Sequence, residues 1–298
     1  MISICIPIYN FDVTKLVNSL AKQSSSLEVL SEIILIDDCS EIEYKQINEE
    51  VCKQHRYIEL VENIGRAAIR NRFLEYANYD YLLFLDCDSI ICLDIFLKTY
   101  VDSLRKDTFK VICGGRIYPK SPPERKKMLR WKYGVKVESK PFHVRNKKPN
   151  KSFMTNNFVI SKKVLGNTKF DERLVQYGHE DTLFGFELKK KNIAIAHIEN
   201  PVLNGDLEEN GRFMKSTELA LENLVLILKN LNYDKKFIED IPLLRLYYRL
   251  FAFKGVIAVF FKFLKPVIKR FLVKDSTSLY LFHFYKLGYF TKKMSAKN

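Results

Sequence analysis

A chain of 298 residues, 47% of them hydrophobic, can bury a full core and is expected to be globular, as one large domain with an appendage or as two smaller ones. Its net charge of +14 is uneven: residues 124–151 hold eleven Lys or Arg against Glu124 and Glu138 (+9), residues 242–298 twelve against Asp275 (+11), and the remainder sums to −6. A mildly acidic body with two basic patches directs attention to anionic partners: nucleic acid, a phosphorylated substrate or anionic lipid.

The opening stretch MISICIPIYN has no basic segment, long apolar run or small-residue cleavage site, so no secretory signal is read and a cytoplasmic location is expected. Short apolar runs at 2–6, 33–36, 57–61 and 81–85 alternate with stretches of helical spacing, the pattern of a parallel α/β sheet. Leu16 and Leu20 lie one helical turn apart after a candidate cap, Asp12, and residues 65–77 read as a helix opened by Gly65. Six cysteines (Cys5, Cys39, Cys52, Cys87, Cys92, Cys113) fall in the first 113 residues without a CxxC pair, and are expected to be reduced, mostly packed thiols. Residues 121–152, rich in Lys, Arg and Pro and poor in periodicity, predict a mobile loop or extended excursion. The α/β pattern then resumes with a strand near 156–161, a helix carrying Leu183, Phe184 and Leu188, a strand at 193–195 and a helix over 216–230.

Open α/β sheets bind ligands at the carboxyl ends of their strands, which makes Pro7, Tyr9, Asn10, Asp37, Asp38, Asn63, Asp86 and Asp88 candidates. Asp86 and Asp88, separated by one residue, can cradle a hard divalent cation whose other ligands are phosphate oxygens and water. The plainer alternative is a pair of solvated turn residues. A second acidic pair, Glu180 and Asp181, precedes a helical stretch; it either performs acid–base chemistry or only favours the positive end of the helix dipole.

Four stretches in order, IPIYN, LIDDCS, ENIGRAAIRN and FLDCD, resemble the inverting family 2 glycosyltransferases of GT-A fold, of the bacterial surface-glycan type, over about residues 1–205. The resemblance implies a Rossmann-like nucleotide-binding mixed sheet in which Pro7, Tyr9, Asp37 and Asp38 hold the base and ribose of a nucleotide-sugar donor. A UDP-sugar is expected, because an aspartate can accept the uracil N3 hydrogen. It further implies that Arg66 and Arg70 reach the nucleotide or its phosphates, that Asp88 holds Mn2+ or Mg2+, and that Asp86 contributes to the ribose or the ion. Asp181 is then the base that deprotonates the acceptor hydroxyl, and Glu180 orients the acceptor. The expected acceptor is a growing surface glycan or glycolipid such as lipopolysaccharide or capsule, itself phosphorylated if the +9 segment lies beside it. Two departures stand out: Cys39 replaces the usual glycine after the paired aspartates, and the histidine that often completes the metal site is missing, leaving Asn204, Asp206 or His197 as substitutes. Asn156, Asn157 and residues 114–119 match regions lining the sugar and acceptor pockets. A retaining glycosidase also uses two carboxylates but has no need of the donor-nucleotide series.

Residues 242–298 contain fourteen of the 39 aromatic residues together with the +11 charge. Between 255 and 273 the longest apolar stretch before a lysine is seven residues, too short to span a bilayer. Lys262, Lys265 and Lys269 fall near one helical stripe while Val259, Phe260, Phe263, Val267 and Phe271 cover much of the rest, predicting a helix in an anionic lipid interface that Pro266 bends or divides. Such a location is the inner face of the cell membrane. The alternatives are a helical pair docking on the body or a second subunit, and a single-stranded nucleic-acid or anionic-surface binding module without catalysis. The expected organisation is a catalytic domain at 1–205, a helical extension at 206–241 and a basic aromatic tail at 242–298.

Overall fold

The computed structural model describes residues 1–51, 53–106, 108–274 and 277–295, so Cys52 and Asp275 lie outside the described residues. In chain order the elements begin with β1 (Ile2–Ile8), α1 (Thr14–Ser24), β2 (Ser31–Asp37), α2 (Ile42–Val51), β3 (Arg56–Glu59), α3 (Gly65–Tyr76), β4 (Tyr81–Leu85), β5 (Ser89–Ile91), α4 (Phe96–Arg105), β6 (Val111–Cys113) and β7 (Arg116–Ile117). There follow α5 (Met128–Tyr133), α6 (Phe142–Arg145), β8 (Asn157–Ser161), α7 (Lys162–Thr168), α8 (Glu180–Lys190), β9 (Ile195–His197) and β10 (Val202–Asn204). The chain ends in α9 (Asn210–Asn230), α10 (Lys235–Asp240), α11 (Pro242–Arg249), α12 (Lys254–Lys274) and α13 (Leu279–Ser295).

Two compact units are formed. The first comprises residues 1–119, 139–175 and 180–206. Among the described residues, seven of its strands make a sheet of order β3-β2-β1-β4-β8-β6-β9, and β5, β10 and β7 make a small second sheet. Pairing is parallel from β3 to β4 and between β6 and β9; β8 runs antiparallel to both neighbours. The apolar runs are buried on both faces because side chains alternate along a strand. Ile4, Ile6, Leu35, Leu83 and Leu85 pack on one side of the sheet, and Cys5, Ile34, Ile36, Leu82 and Phe84 on the other. This is the expected mixed α/β architecture of GT-A, Rossmann-like type.

Three expectations change. Residues 121–152 are not a loop: they form a 3-10 turn at 125–127, α5, a π turn at 134–138, α6 and a 3-10 turn at 150–152. These pieces are too short to produce a readable period, and the buried Arg145 in α6 collects the carbonyls of Lys140, Cys113, Gly114 and Ile198 at 2.8–3.2 Å, a function no hydropathy pattern marks. The helix read at 216–230 starts earlier, at Asn210. Pro266 divides nothing, since α12 runs through it from Lys254 to Lys274.

The second unit comprises residues 120–138, 176–179 and 207–298. Within it α9, α12 and α13 pack together, with Tyr133 of α5 against Phe213 and Phe282. Helices 206–241 and 242–295 thus share one compact body. Gly288 lets α13 approach α12 closely: a Cβ there would stand 2.2 Å from Phe261 Cδ2. Lys265 and Lys269 reach the two Glu218 oxygens at 3.1 and 3.0 Å, and Tyr285 also donates to Glu218. These lysines therefore face the packed side of α12 and not an outer polar stripe.

Candidate active site

β4 delivers Asp86 and Asp88 to the carboxyl edge of the sheet, where the Asp86 N–H bonds the Asn156 carbonyl at 3.1 Å. The Asp86 carboxylate is gripped from two directions, by Arg70 Nη2 at 2.9 Å on Oδ1 and by Arg116 Nη2 at 3.3 Å on Oδ2. Burial acts to raise its pKa, but the charges of Arg70, Arg116 and Arg66 outweigh that and hold it below the ordinary value. Arg70 is no solvated helix residue: its side chain is 2% exposed and its Nη1 also donates to the Arg66 carbonyl at 2.9 Å. Helical spacing explains this, since residues four apart share a face.

Asp88 has different surroundings. β10 pairs with β5, setting Asn204 opposite Ser89, and Asn204 Nδ2 donates to Asp88 Oδ2 at 2.8 Å. Burial first, and then the neighbouring Asp86, raise the Asp88 pKa. Asn204 is 4% exposed and its Oδ1 is buried with no hydrogen-bond partner. Gly205 permits this approach; a Cβ at 205 would lie 2.9 Å from the Asp88 carbonyl oxygen and 2.8 Å from Ile90 Cδ1. Among the described residues no cluster of three His, Cys, Asp or Glu could hold a metal. A carboxylate beside an orphaned amide oxygen nevertheless fits Mg2+ or Mn2+, which keep waters and take diphosphate oxygens to complete an octahedral shell. His197 has no such capacity, because its Nδ1 meets Arg145 Nη1 at 2.7 Å and its Nε2 meets the Pro149 carbonyl at 2.9 Å. Burial pushes its pKa down to about 4, keeping the ring neutral. Asp206 is exposed. Burial and the flanking aspartates push the Cys87 thiol up to about 12, so it remains protonated.

The other donor-side candidates lie along the same edge. Pro7 belongs to β1 beside Ile36, and Tyr9 follows β1 with an exposed ring. Asp37 ends β2, its Oδ1 accepting the Ser40 N–H at 2.6 Å and its Oδ2 facing the Tyr57 hydroxyl at 3.4 Å. Asp38 accepts the N–H groups of Ile64 and Gly65 at 2.7 and 3.0 Å, closing the N-terminus of α3. Burial raises the Asp38 pKa and these two bonds only partly offset it. Both aspartates thus shape the loops, and each carboxylate keeps further acceptor capacity toward a base. Arg66 is exposed on α3, and its charge is felt at Asp86, Cys87 and Asp88. Cys39 adopts φ 62°, the left-handed conformation a glycine would take, so the turn is retained despite the side chain.

Glu180 and Asp181 occupy the first turn of α8. Asp181 Oδ1 accepts the Thr182 N–H at 2.6 Å and the Thr182 hydroxyl at 3.2 Å. Burial, followed by repulsion from Glu180, pushes its pKa up to about 6, and the charge of Arg70 pulls in the opposite direction. Glu180 is buried. The two asparagines diverge: Asn157 is structural, taking the Tyr100 hydroxyl at 2.6 Å and donating to the Gly115 and Asn200 carbonyls at 3.0 and 2.8 Å. Asn156 is buried beside Asp86 with its Nδ2 unpartnered. Sequence reading missed Arg116, which lies within residues 114–119 on the two-residue β7; the only available signal was a cation just after a glycine pair.

Residues 3–168 match the family described as Glycosyl transferase family 2. The S. aureus TarS 1–349 structure is 19% identical with a TM-score of 0.51, over 99% of this chain and 90% of that one. The mannosyltransferase PcManGT from Pyrobaculum calidifontis, in complex with GDP-Man and Mn2+, is 12% identical with a TM-score of 0.59, over 100% of this chain and 88% of that one. Glucosyl-3-phosphoglycerate synthase from Mycobacterium tuberculosis, in complex with Mg2+ and UDP, is 13% identical with a TM-score of 0.54, over 77% of this chain and 78% of that one. A longer S. aureus TarS chain matches at 21% identity and TM-score 0.50 over 76% of this chain, which spans only 39% of its length. At these identities the solved structures show the fold alone. No curated protein sequence matches the chain. The motif series at the sheet edge and the family match over more than half its length together show that this chain belongs to glycosyl transferase family 2 and is a glycosyltransferase of GT-A fold.

Proposed function

We propose that the protein is a metal-dependent inverting glycosyltransferase that moves one sugar from a nucleotide sugar, a UDP-sugar, to a growing cell-surface glycan or glycolipid. The observation that carries this reading is the shared position of Arg70, whose guanidinium bonds Asp86 and whose charge also reaches Asp181. One buried cation thereby links the acidic donor loop to the acidic start of α8.

In this reading Asp37, Asp38, Pro7 and Tyr9 take the base and ribose, with an aspartate accepting the uracil N3–H. Arg66 faces the diphosphate. Asp86, fixed by two arginines, serves the ribose, and Asp88 with Asn204 Oδ1 would hold Mn2+ or Mg2+. The chemistry such an ion supplies when bound is neutralisation of the departing diphosphate. Asp181 takes the acceptor hydroxyl proton while that oxygen attacks the anomeric carbon from the side opposite the diphosphate, and Glu180 orients the acceptor. A base with a pKa near 6 is ionised at neutral pH and still basic enough to receive a proton. Support for a surface-glycan acceptor comes from the two basic segments.

The test is hydrolysis of a panel of nucleotide sugars by the whole chain with Mn2+ or Mg2+. Release of UDP from one UDP-sugar is expected, abolished in Asp181→Asn while UDP binding persists. Hydrolysis that is indifferent to Asp181, or confined to donors of another nucleotide, would contradict the assignment.

A further inference from the structure

α12 has its polarity turned inside out. The side packed within the second unit carries Phe261, Ile268 and Leu272 together with Lys265 and Lys269, whose charges are spent on Glu218. Glu222 is likewise consumed, by Lys293 at 2.7 Å and the Tyr289 hydroxyl at 2.6 Å. The opposite side presents Val256, Val259, Phe260, Phe263, Val267 and Phe271, each 53–72% exposed. Their spacing, i, i+3, i+4, i+7, i+11 and i+15, is one continuous helical stripe. A soluble helix ordinarily buries such a stripe. Exposed contiguous apolar surface on this scale marks a contact with something else.

We propose that this face of α12 is a docking surface for an anionic lipid bilayer, with the helix lying in the plane of the headgroup boundary. The choice of occupant rests on charge. Lys254, Lys262, Arg270 and Lys274 are all exposed on the same helix, and α12 contains no acidic residue. A second copy of the chain seated face to face would set four cations against four with no carboxylate on either helix to pair them. Anionic lipid supplies both the apolar layer and the opposite charge. No described helix is long and apolar enough to cross a membrane, so the contact is an in-plane one. Close packing of α13 at Gly288 against Phe261 braces the helix from behind, holding the stripe outward without lipid. None of these residues belongs to the proposed active site, and vesicle capture is read without turnover.

The experiment is co-sedimentation of the full chain with vesicles of phosphatidylcholine alone and of phosphatidylcholine with about one third phosphatidylglycerol. The protein is expected to pellet with the anionic vesicles only. Phe260→Ser with Phe263→Ser, and separately Lys262→Glu with Arg270→Glu, should each lower the bound fraction by about tenfold or more while the melting transition stays as in the parent. Because all four side chains are exposed, these changes spare the packed side of the helix. The proposal is overturned if the parent stays in the supernatant with both vesicle types, or if the serine pair pellets like the parent. It is equally overturned if the stripe proves to be a dimer contact, seen as a dimer that the serine pair dissociates without vesicle capture, or if a single-stranded oligonucleotide binds where vesicles do not.

Discussion

Replacing Asp181 by Asn should stabilise the protein while stopping turnover, and the two effects share one cause. Burial and the Glu180 charge lift the Asp181 pKa from 3.8 to about 6, so the fold favours the protonated carboxyl. A folded-state pKa raised in this way contributes stability that is fully present below about pH 4 and lost as pH rises through about 6. At 1.36 kcal/mol per unit the shift corresponds to roughly 2–3 kcal/mol of strain carried by the ionised form at pH 8. The amide mimics the protonated acid, so Asp181→Asn should recover about that amount, a rise in Tm of roughly 3–5 °C for a chain of 298 residues. Thermal unfolding of both proteins at pH 4.5, 6 and 8 checks it: the gap should open with pH and close at the acid end. In parallel the parent's kcat/KM should fall about tenfold per unit below pH 6, and the variant should lose about 10²–10⁴ in rate. Coincident melting at pH 8, or a gap independent of pH, would refute the electrostatic reading of this carboxylate.

Other changes probe the donor loop. Gly205→Ala drives a methyl into the Asp88 carbonyl and Ile90, so metal-supported UDP affinity, followed by calorimetry, should drop by about tenfold with a stability cost of ~1–3 kcal/mol. Asn204→Ala should weaken only the metal-dependent part of UDP binding, by about 10–100-fold, whereas His197→Gln should leave that part intact in whatever fraction folds. Cys39→Gly relieves a left-handed cost of ~1–2 kcal/mol against a glycine entropy penalty of ~0.5–1 kcal/mol; chemical denaturation should report a gain of up to about 1.5 kcal/mol.

The parallel half of the sheet was legible because β1, β2 and β4 are apolar runs buried on both faces, bounded by turn residues. Asp37, Asp38, Asp86 and Asp88 end or closely follow those strands, which is why their place at the carboxyl edge of the sheet could be read in one dimension. The small sheet could not. β7 has two residues and β10 three, too few for any period, yet together they bring in Arg116 and Asn204. Arg70 was visible as a partner of Arg66 one turn away, but its burial against Asp86 depends on tertiary packing. The same limit governed α12: helical spacing identified an apolar stripe and a basic one, while only the partners Glu218 and Gly288 fix which of them faces inward. The segment 121–152 misled because buried arginines such as Arg145 look, in sequence, like solvated charge.

The proposed mechanism requires the edge after β4 to hold a nucleotide diphosphate with the help of a cation at Asp88. Calorimetric titration of UDP into the whole chain, with Mn2+ and again with chelator, measures it directly for the parent and for Asp88→Asn. Binding is expected to tighten with Mn2+ in the parent by at least about tenfold, with no such gain in the variant. Equal affinity with and without metal in both proteins, or no binding of UDP at all, would contradict it.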